Sequence, residues 1–156
     1  MTVVSKIDIY EQPEQHVLSI RTTIRFAEYP QTAREAYEKI QAYAAQRNLL
    51  LAGCPFVCYY NVDLNNLNNL DIEIGFPVAK PVPGNGDIVG RTIPVQKVVS
   101  AIFLGAYEET DPMMMEIMRW IAEHGYEQQG TIFNYYLNDD NRPAGELLTM
   151  IAVPVK

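Results

Sequence analysis

The residues best placed to grip a small molecule are Val57, Tyr59, Asp71 and Glu73 in one pair of extended stretches and Asn134, Tyr136, Leu148 and Met150 in another. Successive side chains of a strand point to opposite sides. In GCPFVCYYN and LDIEIGFPV, Phe56, Cys58, Leu70, Ile72, Ile74 and Phe76 are therefore expected to face a helix, with Val57, Tyr59, Asp71 and Glu73 facing away from it. In the second pair the helix-facing set is Phe133, Tyr135, Leu147, Thr149 and Ile151, which leaves Asn134, Tyr136, Leu148 and Met150 on the opposite side. Two tyrosines, an amide, two acids and apolar walls suit a flat, partly apolar ligand, including a cation: aromatic faces attract positive charge, and a poorly hydrated carboxylate fixes orientation. Two simpler readings stay open, a solvated acid at Asp71 or Glu73 and core or hairpin packing for Tyr59 and Tyr136.

Other chemistry is poorly represented. His16 and His124 are the only histidines, and no CxxC, HExxH or spaced carboxylate cluster accompanies them, so neither a metal nor any other cofactor is expected. Neither a G-x-S-x-G elbow nor a Walker loop occurs, and no catalytic residue is assigned. Cys54 and Cys58 lie four apart in an extended segment, about 13 Å between Cα atoms, beyond disulfide reach. Reduced thiols, together with the absence of a signal-like N-terminus or a long apolar run, lead to the expectation of a cytoplasmic protein off the membrane. The net charge of -7 repels phosphate backbones, so direct nucleic-acid binding is not expected. Met113, Met114, Met115 and Met118 offer an adaptable surface or ordinary core filling.

The elements that must position these residues come in duplicate. Residues 3–10 and 16–25 alternate like strands around Gln12-Pro13-Glu14, which predicts a hairpin. From Pro30 an apolar stripe through Ala33, Ala36, Tyr37, Ile40, Tyr43 and Ala44 predicts a helix ending near Asn48. Strands Gly53–Asn61 and Leu70–Val78 follow, then AKPVPGNGD, a candidate hinge. The pattern restarts with strands Ile88–Pro94 and Lys97–Leu104, a helix from an Asp111 N-cap and Pro112 to His124-Gly125, and strands Thr131–Asn138 and Glu146–Val155. Sliding the chain by 77 positions superposes Ile40 on Ile117, Gly53 on Gly130, Phe56 on Phe133, Tyr59 on Tyr136, Asn61 on Asn138 and Pro77-Val78 on Pro154-Val155. Upstream, Pro13, Val17 and Ser19 superpose on Pro94, Val98 and Ser100 at an offset of 81. The expected fold is α+β: one domain over 1–156 of tandem strand-helix-strand-strand repeats (1–79 and 86–156, linker 80–85) with pseudo-two-fold symmetry, an antiparallel sheet, two helices and a central ligand cleft.

The runs GCPFVCYYN, LDIEIGFPV, IPVQKVVSAIFLGAYEE, WIAEHGY and YYLNDDNRPAGELLTMIAVPV, in this order and spacing, resemble GyrI-like small-molecule-binding domains, which occur alone and as effector-binding halves of AraC-type and MerR-type multidrug regulators. The resemblance spans nearly the whole chain and implies binding of hydrophobic or cationic compounds in a cleft between the halves. Many members carry an acid two positions before the tyrosine of the Tyr-Leu-Asn segment; here that position is Asn134, and Phe103-Leu104 is apolar where members often have a histidine or other polar residue before the glycine. The expected function is thus ligand binding as a sensor, sequestering protein or regulator domain, with Glu73 as charge partner, Tyr59 and Tyr136 as stacking walls, Val57 and Met150 as apolar lining and Asn134 as a neutral hydrogen-bonding group. Two alternatives accompany it. One is a hydrolase of reactive xenobiotics in which Tyr136 with Glu73 or Glu108 activates water; the other is a gyrase-inhibitor-like module with a protein partner. The oligomeric state is left open.

Overall fold

Helix α1 (Tyr29–Gln46) opens with Pro30 in its first turn and buries Ala33, Ala36, Ile40, Tyr43 and Ala44, the stripe read from the sequence except for Tyr37, which is half-buried. It ends where Asn48 takes a left-handed φ of 54°, a conformation asparagine tolerates better than most residues. The computed structural model describes residues 2–63, 65–107, 110–138 and 140–156. They fall into two compact units, Glu14–Pro94, called central for its place in the sequence, and Met1–Pro13 with Val95–Lys156, called terminal. Each is an antiparallel sheet carrying one helix, so the chain is α+β.

In the central unit, β3 (Gln15–Ile24), β4 (Phe56–Tyr60), β5 (Leu70–Val78) and β6 (Val89–Ile93) lie in the order β4-β5-β3-β6. Helix α1 packs on β5 and β3. Tyr37 meets Phe76 edge to face with ring centres 5.2 Å apart, which places the Leu70, Ile72, Ile74 and Phe76 side of β5 beneath α1. In the terminal unit, β1 (Thr2–Val3) and β2 (Asp8–Gln12) both pair with β7 (Gln96–Leu104), followed by β9 (Leu148–Val155) and β8 (Thr131–Tyr136). Helix α2 (Thr110–Glu123), starting two residues before the expected first helical residue Pro112, sets Met113, Ile117 and Ile121 against Val99, Ala101, Phe103, Ile151, Val153 and Val155. It ends at Gly125 with φ +76°.

Three expectations need correction. Strand β2 does not fold back on β3; it pairs with β7, while β3 takes β6 on its outer side. The compact units therefore do not coincide with the sequence halves 1–79 and 86–156, because the terminal unit includes β1 and β2 from the first half and the central unit includes β6 from the second. Nor is segment 80–85 a free hinge. Tyr43 donates to the Pro83 carbonyl at 2.6 Å, and Asn85 and Ile88 exchange backbone hydrogen bonds. Gly90 lies so close to this strap that a Cβ there would sit 1.8 Å from the Val82 carbonyl oxygen.

Candidate functional site

Register decides which side chains meet. Across β4 and β5, Cys58 stands opposite Glu73, Tyr60 opposite Asp71, and Tyr59 opposite Ile72. Directly paired residues share a face, so Val57 and Tyr59 lie on the α1 side, and Phe56, Cys58 and Tyr60 share the reverse side with Asp71 and Glu73. The terminal unit repeats this arrangement. Asn134 is opposite Ile151 and Tyr136 opposite Thr149, on the α2 side, while Tyr135 is opposite Met150 on the reverse. The expected faces hold for β5 and β9 and are inverted for β4 and β8. Of the expected site residues, Asn134 and Tyr136 come together under α2, Val57 and Tyr59 come together under α1, and Glu73 and Met150 stand on reverse faces.

On the reverse face of the central unit Glu73 is 2% exposed and fully engaged. Arg91 of β6 holds both carboxylate oxygens, Nε to Oε2 at 2.7 Å and Nη2 to Oε1 at 2.6 Å. Ser19 donates at 2.5 Å and Tyr60 at 2.7 Å. Burial pushes the Glu73 carboxyl up, but the hydrogen bonds from Arg91, Ser19 and Tyr60 outweigh it and hold the group below the usual range. Burial and the bond to Glu73 push the Tyr60 phenol up. Next to this cluster Arg21 forks onto Asp71 at 2.9 and 2.8 Å and lies 3.7 Å over the Tyr60 ring. Both acids already have a cation, so Glu73 is not an open charge partner, contrary to expectation. Its companions Ser19, Tyr60 and Arg91 were not read as site residues, because Arg91 reaches Glu73 only through the β3–β6 pairing.

The terminal unit presents the opposite situation under α2. Asn134 is 7% exposed and Thr149 1%, and among the described residues neither Asn134 Oδ1 nor Thr149 Oγ1, both buried, has a hydrogen-bond partner. They are diagonal neighbours on the β8–β9 ladder, with Tyr136 directly opposite Thr149 and the Tyr107 ring edge-on to Tyr136 at 5.1 Å. Buried polar groups are nearly always bonded, so two orphans side by side call for a partner. The duplication supplies an internal comparison. Positions equivalent to Asn134 and Thr149 in the central unit are Val57 and Ile72, both fully buried apolar residues, and Tyr136 corresponds to Tyr59, which stacks on Tyr29 with centroids 6.5 Å apart. One copy of the scaffold thus has hydrocarbon where the other has an amide and a hydroxyl. Thr149 and Tyr107 were missed; the lone threonine in LLTMIAV, aligned with Ile72, was the available signal. Glu108, the alternative base, lies outside the described residues.

Among the described residues no three His, Cys, Asp or Glu side chains are placed to hold a metal, and no helix is long and apolar enough to cross a membrane. A search of curated proteins found no match. Among solved structures, the EcmrR C-terminal domain is similar with a TM-score of 0.83 at 21% identity, covering 98% of both chains. In the EcmrR–DNA complex the same similarity covers 58% of the EcmrR chain, so the present chain spans little more than half of that protein. A hydrolase encoded by lin2189 from Listeria innocua has a TM-score of 0.71 at 11% identity over 99% of this chain and 93% of its own. SAV2435 bound to tetraphenylphosphonium has a TM-score of 0.60 at 15% identity over 97% and 94%. These likenesses establish a shared fold. Residues 5–156 match the GyrI-like small molecule binding domain, and the chain belongs to that family.

Proposed function

We propose that this chain binds a small uncharged molecule that offers an amide-like hydrogen-bonding edge to Asn134 and Thr149 and a flat apolar part to Tyr136 and Tyr107. The observation that carries this reading is the pair of buried oxygens that have no hydrogen-bond partner among the described residues, at positions where the repeat has Val57 and Ile72. An amide and a hydroxyl combine donor and acceptor capacity, and their complement is a carboxamide, lactam or similar group. Between the hydrophobic and the cationic ligands that the family resemblance allows, the geometry favours the uncharged one. Asn134 brings no charge, and Glu73 and Asp71 are neutralised by Arg91 and Arg21. The hydrolase alternative through Glu73 lacks support for the same reason, since a carboxylate holding four donors is a poor base. Similarity to EcmrR, a protein seen in complex with DNA, supports an effector-sensing role in a regulator as one form of this binding, beside the stand-alone sensor and sequestering roles.

Thermal unfolding with benzamide or tetraphenylphosphonium tests this reading. A ligand that binds only the folded chain raises stability by about 2.7 kcal/mol at 100 times its Kd. Benzamide should raise the Tm and lose that effect in Asn134→Ala, whereas tetraphenylphosphonium should leave the Tm unchanged. A Tm rise with the cation alone would overturn the proposal.

A further inference from the structure

Strands β2 and β6 are repeat equivalents and pair in the same register. On β7, Asp8 faces Ser100, Tyr10 faces Val98 and Gln12 faces Gln96; on β3, Val89 faces Ser19, Arg91 faces Val17 and Ile93 faces Gln15. Because Gln15, Val17 and Ser19 are the equivalents of Gln96, Val98 and Ser100, each strand has a second docking place of identical register. Strand β2 could fold back on β3 with Gln12 opposite Gln15, and β6 on β7 with Ile93 opposite Gln96. The connections would then be two-residue hairpin loops, Pro13-Glu14 and Pro94-Val95.

Such loops need type I′ or II′ turns, whose first central residue has a positive φ. Proline is locked near -65° and cannot supply it. The second position offers no relief: neither Glu14 nor Val95 is left-handed here, and Val95 is β-branched. Side chains discriminate between the two docking places as well. Were β2 on β3, Tyr10 would stand where Arg91 now stands, and Glu73 would remain buried with only the hydroxyls of Ser19 and Tyr60. Were β6 on β7, Arg91 would lie at the position of Tyr10, with Met150 in place of Glu73.

We infer that Pro13 and Pro94 block the local hairpins and commit the chain to exchanging β2 and β6 between its sequence halves, and that the Glu73–Arg91 pair selects which of the two equivalent strands docks on β3. Each part fails separately. The prolines act on the turn, whatever the strands carry; the ion pair acts on the choice of strand, whatever the turn allows.

Paired cysteines in the full chain read out the docking, since directly opposed strand positions fall within disulfide reach. Links are mapped by mass spectrometry of peptides from the oxidised monomer. Tyr10→Cys with Val98→Cys should link in most molecules, and Tyr10→Cys with Val17→Cys in fewer than about one in ten. Replacing Pro13 by Asn and Glu14 by Gly in the second pair should raise its yield at least tenfold, and adding Arg91→Met should raise it further. Comparable yields of the two pairs in the chain with its native turns would overturn the exchange. An unchanged yield in a folded Asn-Gly variant would overturn the role of the prolines, and no effect of Arg91→Met would overturn the selection. Should the Asn-Gly chain fail to fold, the same replacement at Pro94-Val95, read by Val89→Cys with Ser100→Cys, decides the matter by the same criterion.

Discussion

Arg91, on the outer strand of the central unit, reaches across β3 to Glu73 on β5 and holds both of its carboxylate oxygens, at 2.6 and 2.7 Å. The pair couples β6 to β5 without a shared backbone ladder. Taking one member away leaves the other charge buried, which typically costs about 3–5 kcal/mol; for Glu73 the low end applies because Ser19 and Tyr60 still donate to it. Arg91→Ala should therefore lower stability by about 3 kcal/mol in urea denaturation. The double substitution Glu73→Leu with Arg91→Met should be more stable than either single change, because it removes both desolvated charges together. A double variant less stable than both singles would contradict this account.

The same carboxylate sets an acid limit on stability. Glu73 is held below its ordinary value of 4.5 in the folded chain. A group whose folded pKa is depressed contributes stability that is fully present above the unfolded pKa and is lost as pH falls through the folded one. Stability should thus hold near neutrality and begin to fall below about pH 4.5. Asp71, depressed by its bond to Arg21, acts in the same direction but is more exposed and should contribute less. Glu73→Gln should flatten the acid limb of a plot of urea midpoint against pH. An identical slope in the variant would assign that limb to other carboxylates.

How legible these features were depends on how strongly each was specified locally. In β5, Leu70, Ile72, Ile74 and Phe76 alternate with Asp71 and Glu73, so the two faces followed from parity. In β4 and β8, FVCYY and TIFNYY are apolar or aromatic at both parities, and alternation within such a strand cannot say which side it shows its partner. That one-residue ambiguity moved Val57, Tyr59, Asn134 and Tyr136 to the wrong faces. The α1 stripe was legible for the converse reason, because Ala33, Ala36, Ile40 and Ala44 recur at helical spacing among charged neighbours. The β2–β7 pairing was hidden by proximity: two alternating stretches around Gln-Pro-Glu suggest a hairpin until the φ demand of a two-residue turn is set against Pro13.

The two cysteines should differ sharply in reactivity. Cys58 is fully buried on β4 beside Glu73, and burial, reinforced by that negative charge, pushes its thiol up to about 12. Cys54 is partly exposed, and both are free. The thiolate is the reactive species, so a native thiol titration with an aromatic disulfide reagent at pH 8 should release about one equivalent per chain, and about two after unfolding in guanidinium. Peptide mapping should place the native modification at Cys54. Rapid modification of Cys58 in the folded chain would mean that the reverse face of the central unit opens.

The buried oxygens of Asn134 and Thr149 should set stability against binding. A polar group desolvated without a partner weakens the fold, whereas an apolar group of the same shape does not. Valine is nearly isosteric with threonine, so Thr149→Val should stabilise the unliganded chain by about 1 kcal/mol, seen as a Tm increase of roughly 2–4 °C at this size. The equivalent residue Ile72 already fills that position with hydrocarbon in the central unit. If the hydroxyl is held ready for a ligand, the same variant should lose most of the benzamide-induced Tm shift. A purely structural threonine would show the opposite pair of results, a lower Tm in the variant with the benzamide response intact, and calorimetry with and without benzamide separates the two.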